Sequence, residues 1–313
     1  LRRAAAGLAI GTTRVAERVV ISAVEHSAVL HACQSLADGW LTPGGRNWAH
    51  QQVRVGAEGA IDADEFSAAV LTSPTGFAVL QAANAEVASR QPVAQVHASL
   101  AGAVPLLVDA TAMLGDSAAA DLPWDVMCAG AEHLGAPASC AVLAVRSGTR
   151  WRSPDRPSDS YEHGWVPGQP NIPAIAAFAA AVTAAAADTD RTARLHNLTA
   201  AVRSRVPQLI SDCVVVGSAE DRVSHTVTMS FLYVSGAALA EELDAAGFAV
   251  ASGSACSSDA LTPSHVLAAM GALTEGNIRV SLPWDATAEQ VDAFLHALPG
   301  CVARVRAKFG APA

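Results

Sequence analysis

The side chains best suited to chemistry gather in Gly247–Leu282. Cys256 lies in Ser252–Ser258, a run of serine, glycine and alanine around one thiol. Small neighbours leave a loop mobile and its sulfur exposed, unlike a cysteine packed in a core. Arg279 stands between Ile278 and Val280, so on a strand it points away from the apolar face. Between the two, Pro263 marks the start of a helix, with Thr262 as its cap and Gly271 ending it. A mobile sulfur and a fixed guanidinium about one helix apart suit a substrate whose carboxylate is held while the thiol reaches in. Two more residues sit where open α/β sheets bind ligands, at the carboxyl ends of strands. His26 falls between the run Arg18–Val24 and a helix from His26 to Trp40, and Asp109 ends Pro105–Val108. An acid in that place could bind a metal, cap a turn or pair with a protonated ring nitrogen.

The elements that must position these residues alternate as a parallel α/β sheet requires. Arg18–Val24, a continuous β-branched run, reads as a buried parallel strand, and Gln52–Val55, Phe77–Gln81, Pro105–Val108, Trp124–Cys128 and Cys140–Val145 read as further strands. Helical spacing fills Asp62–Leu71, capped by Asp62, and Val93–Leu100. An alanine-rich helix at Ile172–Ala187 and an amphipathic one at Arg191–Leu209 follow. Strands at Val214–Val216, Thr226–Val234 and Phe248–Ala251 and helices at Ala237–Ala246 and Ala288–Phe309 make a second, smaller region. The expected division is a large α/β domain over 1–187 and an α+β domain over 188–313.

Composition narrows the class. The chain has 313 residues, 51% hydrophobic and 16% charged, which is a globular balance with room for two domains. A net charge of −9 without a basic run argues against a nucleic-acid surface. Cys33, Cys128, Cys140, Cys213, Cys256 and Cys301 are scattered, with no CxxC pair, so neither a zinc ribbon nor a disulfide framework is indicated. A reducing cytoplasm fits best. The longest apolar run is shorter than a membrane span, no signal peptide is visible, and the chain starts at Leu1, as a piece of a longer protein would. Only one lysine is present, Lys308, near the C-terminus.

The Gly247–Leu282 stretch resembles the cysteine desulfurases, pyridoxal-phosphate (PLP) enzymes of the class V aminotransferase family. Their Ser-Gly-Ser-Ala-Cys-x-Ser, Pro-Ser-x-Val-Leu-x-Ala-Met-Gly and Arg-x-Ser-Leu segments are met here without a gap. The resemblance implies fold-type I, an aspartate-aminotransferase-like architecture: a three-layer α-β-α large domain with a mainly parallel sheet, plus a smaller α+β domain. It implies that Cys256 takes the persulfide sulfur, Arg279 holds the carboxylate of L-cysteine and His26 stacks on the PLP ring. Asp109 would pair with the ring nitrogen and keep it protonated, which makes the ring an electron sink. Asn84 and Glu86 keep part of a cofactor-side Asn-Asn-Glu-Val-Gly motif, in which Ala85 and Ala88 replace an Asn and the Gly.

Other positions depart from the family. Ala112 replaces the Gln that binds the ring oxygen, and Gln169 replaces a Thr that reaches the phosphate. Aligned on Pro137 and the strand after it, His133 falls on the Schiff-base lysine, Glu132 on the preceding His, and Gly130 on a phosphate-binding Ser. Nothing upstream of Arg18 matches the family's opening segment and phosphate loop, so the resemblance reads as starting near Arg18. It implies a cytoplasmic homodimer serving a sulfur acceptor, with no nucleic-acid or membrane partner, in which weak or lost PLP binding leaves little or no turnover. The alternatives are a working enzyme completed by an upstream segment or partner chain, a non-catalytic dimer partner or scaffold, and a metal site built from His26, Asp109, His133 and Cys256.

Overall fold

The runs Arg18–Ser22 (β1), Ala49–Val53 (β2), Phe77–Gln81 (β3), Leu106–Asp109 (β4), Val126–Gly130 (β5) and Ala141–Val145 (β6) form one sheet in the computed structural model of the chain, in the order β2-β1-β3-β4-β5-β6. The structure describes residues 1–42, 44–138, 140–155, 161–165, 168–253, 263–308 and 310. Strands β1 to β5 are parallel, and β6 closes the edge antiparallel to β5. β3 and β4 are buried along their whole length, which is why they read as unbroken apolar runs. β5 begins at Val126, later than Trp124, whose indole lies under the Arg146 guanidinium, 4.6 Å away.

Helices Arg2–Thr12 (α1), Ser27–Ala37 (α2), Ala63–Leu71 (α3), Val93–Leu100 (α4) and Ile172–Ala187 (α5) accompany this sheet. α1 was not legible in the sequence. Its alanines and glycines are weak markers of period, yet Ala4, Ala5, Leu8 and Ala9 are buried with Val19, Ile21, Phe77 and Leu107. The small side chains let another segment touch the helix. A Cβ on Gly7 would overlap the Trp151 indole, and one on Gly11 would overlap the Arg150 carbonyl. Asp62 caps α3 by accepting from the Glu65 amide at 2.8 Å.

A second unit is built around a four-stranded antiparallel sheet, in the order β7-β8-β10-β9, from Cys213–Val216 (β7), Thr226–Phe231 (β8), Ala251–Ser252 (β9) and Asn277–Ser281 (β10). Arg191–Leu209 (α6), Gly236–Ala245 (α7) and Ala288–Lys308 (α9) pack on it through Val202, Met229, Phe231, Leu243, Ile278 and Phe294. Two short pieces of the first half, 56–60 and 84–90, belong to this unit, which otherwise runs from Thr189 onward. They are bound in by Ser89 Oγ donating to the Glu58 carbonyl and Thr228 Oγ1 donating to the Glu86 carbonyl, each at 2.5 Å.

Two local expectations change. β9 is two residues long rather than spanning Phe248–Ala251. The Phe248 amide instead bonds back to the Leu243 carbonyl, and its ring meets Phe294 edge-on at 5.7 Å. The short helix His265–Ala269 (α8) is capped by Ser264, whose hydroxyl accepts from the Leu267 amide at 3.1 Å, so Pro263 precedes the helix rather than opening it. Thr262 lies outside the described residues. No single helix among the described residues is long and apolar enough to cross a membrane.

Candidate functional site

The carboxyl-end edge of the first sheet carries four interlocked polar residues. Glu25, after β1, is fully buried; its Oε1 accepts from the Gln81 amide at 3.0 Å. Gln81 closes β3 and donates from Nε2 to the Val24 carbonyl at 2.7 Å. Asp109 closes β4 directly beside Gln81 in the register. Its Oδ1 accepts from both the Thr111 amide (3.0 Å) and the Thr111 hydroxyl (2.6 Å). The Thr111 hydroxyl in turn accepts from the Gly130 amide at 3.3 Å, which ties the end of β4 to the end of β5. Two carboxyls at one buried edge repel. Burial first, and the Asp109 charge as well, push the Glu25 carboxyl up to about 8, so it is neutral at pH 7.

His26 is the N-cap of α2. Its Nδ1 accepts from the Ala28 amide at 3.1 Å, so the neutral ring carries its proton on Nε2. His26 stands between the end of β1 and the start of α2, and Asp109 closes β4; the sequence did not point to the grip on Asp109. Thr111 carries that grip, through its amide and its hydroxyl. A threonine two residues after an aspartate is a recognisable signal for such a local bond.

Gly130, Glu132 and His133 follow at the end of β5. Gly130 is buried, and a Cβ there would overlap the Glu132 carboxylate, which covers the space beside the glycine. His133 lies half-buried in the short 3-10 turn Glu132–Leu134. A cavity of about 410 Å³ opens here, lined by Thr111, Gly130 and Glu132 and by Arg2 and Arg3 of α1. Arg3 is engaged by Asp155 at 2.9 Å. Ala112, the position read as a lost ring-oxygen donor, is buried and offers no polar atom.

Asn84 and Arg279 belong to the second unit. The Asn84 Oδ1 accepts from the Glu86 and Val87 amides at 2.8 and 2.9 Å, so its carbonyl oxygen shapes a turn. The same turn holds Ala88 at φ +69°, a conformation that suits glycine and costs an alanine about 1 kcal/mol. Arg279 sits on β10 opposite Thr228 and Ala251, half-buried between buried Ile278 and Val280, in keeping with the strand alternation. Cys256 lies outside the described residues.

Three of the other thiols are poor nucleophiles. Burial pushes Cys33 up to about 12 and Cys213 up to about 11, and raises Cys128 as well. Cys140, just before the edge strand β6, is half-buried. Among the described residues no three His, Cys, Asp or Glu side chains are grouped to hold a metal ion.

Comparison with known proteins bears on the whole chain. The model of the family described as "Aminotransferase class-V" matches residues 3–294. Cysteine desulfurase IscS 1 of Archaeoglobus fulgidus is 30% identical over 306 residues, covering 96% of this chain and 78% of that protein. A cysteine desulfurase of Bradyrhizobium diazoefficiens is 32% identical over 308 residues, covering 96% and 75%. Among solved structures, a NifS-like protein superposes with a TM-score of 0.83 at 22% identity, over 97% of this chain and 80% of that one. The apo cysteine desulfurase of Thermococcus onnurineus does so with a TM-score of 0.79 at 18% identity, over 97% and 78%. The family match begins at residue 3, upstream of the Arg18 where the sequence resemblance was read to start. All of α1 but Arg2 therefore falls inside it.

Proposed function

Because this chain belongs to the class V aminotransferase family, whose cysteine desulfurases use PLP and act on L-cysteine, we propose that it is a cysteine desulfurase by descent with little or no turnover of its own. The observation that carries this reading is the place of the chain's one side-chain amine. Lys308 lies on α9 of the second unit, where its Nζ is bound to Glu242 at 2.6 Å. At the position the resemblance gives to the lysine stands His133, which has no primary amine to condense with an aldehyde.

The residues at the sheet edge do not fit PLP as a covalently held cofactor. Glu132 sets a negative charge beside Gly130, where a phosphate would need a donor, and like charges there repel. Ala112 offers the ring oxygen no partner. What remains is the fold-type I frame with His26 and Asp109 in position, an edge that still suits a flat ring with a basic nitrogen. His26, Asp109 and Asn84 on the cofactor side, Arg279 for the carboxylate and Cys256 for sulfur are the proposed descendants of the family's site. His133 is the proposed scar of the lost lysine. The left-handed Ala88 supports such descent, because the backbone keeps a glycine's conformation after the glycine has gone.

We further propose a cytoplasmic homodimer that serves as a partner or scaffold for a sulfur acceptor. α5 supports the dimer: Ile172, Ile175 and Val182 are exposed on a helix of which only Ala174 is buried. The five described cysteines are all free thiols, as a reducing compartment would leave them.

Borohydride reduction after incubation with PLP tests the central reading. Peptide mapping is expected to find no pyridoxyl group between Asp109 and Val145, and the protein to show no aldimine absorbance band. A labelled residue in that stretch would end the reading. The sulfur role of Cys256 is tested separately by alkylating the native protein for increasing times. Cys256 is expected to react first and Cys33 and Cys128 last, by at least about tenfold, since burial holds those two as thiols. Slower labelling of Cys256 than of Cys128 would remove it from the site.

A further inference from the structure

At the opposite, amino-end edge of the first sheet, a cavity of about 530 Å³ is lined by Arg14, Arg46, Arg150 and Arg152, with Thr13 and Thr42 between them. We propose that this is a binding site for a small anion carrying two or more phosphate groups. Acidic residues outnumber basic ones in the chain by 29 to 20, so four arginines round one hollow run against the overall charge of the chain. Here the balance is reversed. Only Arg46 has an acidic partner, Glu17 at 2.5 Å; Arg14, Arg150 and Arg152 have no carboxylate partner among the described residues. Like charges round one hollow repel one another, and nothing in the packing of the fold requires them there.

The backbone that presents these arginines is pinned. Arg150 and Arg152 lie on a segment that crosses α1 in direct contact, at Gly7 and Gly11, where any Cβ would collide with it. The crossing is fixed by the Arg152 amide bonding to the Gly7 carbonyl at 3.0 Å and the Trp151 Nε1 bonding to the Ala4 carbonyl at 3.2 Å. Arg14 follows the end of α1, and Arg46 comes from the loop after α2. Three separate pieces of chain thus bring arginines to one hollow. Each guanidinium presents a planar fork of N–H donors that matches a phosphate's oxygens. One phosphate would leave most of these forks unmatched, whereas two or three in a chain could engage them together. The site is at the far edge of the sheet from Asp109 and does not depend on the reading given to that residue.

Isothermal titration of the full chain with inorganic triphosphate, in low-salt buffer, tests this site, with ADP and citrate titrated at matched ionic strength. Triphosphate and ADP are expected to bind one per chain, and about tenfold or more tighter at 50 mM than at 300 mM NaCl, as an exposed ionic site requires. The triple variant Arg14→Ala, Arg150→Ala, Arg152→Ala is expected to weaken triphosphate binding at least tenfold. Arg54→Ala, a change at an exposed arginine paired with Glu65, should leave it unchanged. Glu17→Gln, which removes the one opposing carboxylate, should tighten binding several-fold, a change of sign that loss of structure cannot produce. The proposal is overturned by absence of saturable binding, by equal losses in the triple and Arg54→Ala variants, or by weaker binding in Glu17→Gln. Citrate binding as tightly as triphosphate would overturn the assignment to phosphate.

Discussion

Replacing His133 by lysine should not, by itself, restore sulfide release from L-cysteine. The new amine would stand next to Glu132, whose carboxylate covers the space beside Gly130, with Ala112 still unable to bond the ring oxygen. Each missing charge-assisted bond is worth about 1.5–3 kcal/mol, so three of them together outweigh a single imine. The changes are also coupled. Gly130→Ser alone pushes its side chain into the Glu132 carboxylate, so the hydroxyl becomes useful only when Glu132 is replaced as well. The combination Glu132→His, His133→Lys, Ala112→Gln and Gly130→Ser is expected to give a PLP absorbance band that His133→Lys lacks. Both variants should be assayed for that band and for sulfide in the presence of a reductant. If His133→Lys alone turned over at about 1 s⁻¹ or faster, the argument from the phosphate side would fail. A site completed by an upstream segment or a partner chain would then be the better account.

Glu25→Gln should flatten the dependence of stability on pH. Burial raises this carboxyl from its ordinary range near 4.5 to about 8 in the folded chain. Between those values the unfolded chain has released the proton while the folded chain still holds it. Stability therefore falls as pH rises from about 4.5 and levels off above about 8, where both states are ionised. One proton sets a ceiling of about 1.4 kcal/mol per pH unit on the slope, and several kcal/mol across the window. Glutamine keeps an oxygen for the Gln81 amide and cannot ionise, so its difference in stability from the parent should grow steadily from pH 5 to pH 8. Urea unfolding at pH 5, 6.5 and 8 measures that difference. Parallel curves for parent and variant would show that Glu25 is already ionised at pH 5, or that it gains compensating partners on ionising.

The frame of this protein was legible because its signals are local. Buried parallel strands such as Phe77–Gln81 are continuous apolar runs, and α4, α5 and α6 begin and end where their spacing predicts. The places of His26, at the opening of α2, and of Asp109, at the end of β4, were legible because strand and helix ends can be counted along the chain. The missing lysine needed only a count. What the tertiary structure decided depends on residues far apart in sequence or on backbone that side-chain types do not announce. α1 escaped notice because alanine and glycine have almost no hydrophobic contrast, and only its burial against Phe77 and Leu107 reveals a helix. Segments 56–60 and 84–90 look like ordinary loops of the first domain until Ser89 and Thr228 bond them into the second unit. The buried state of Glu25 comes from β3 and β4 closing over it; its neighbour His26 gives no sign of it. The arginines at 14, 46, 150 and 152 are unremarkable one at a time. They form a site only where the Arg150–Arg152 crossing meets the glycines of α1, a contact between positions about 140 residues apart for which no periodicity exists to be read.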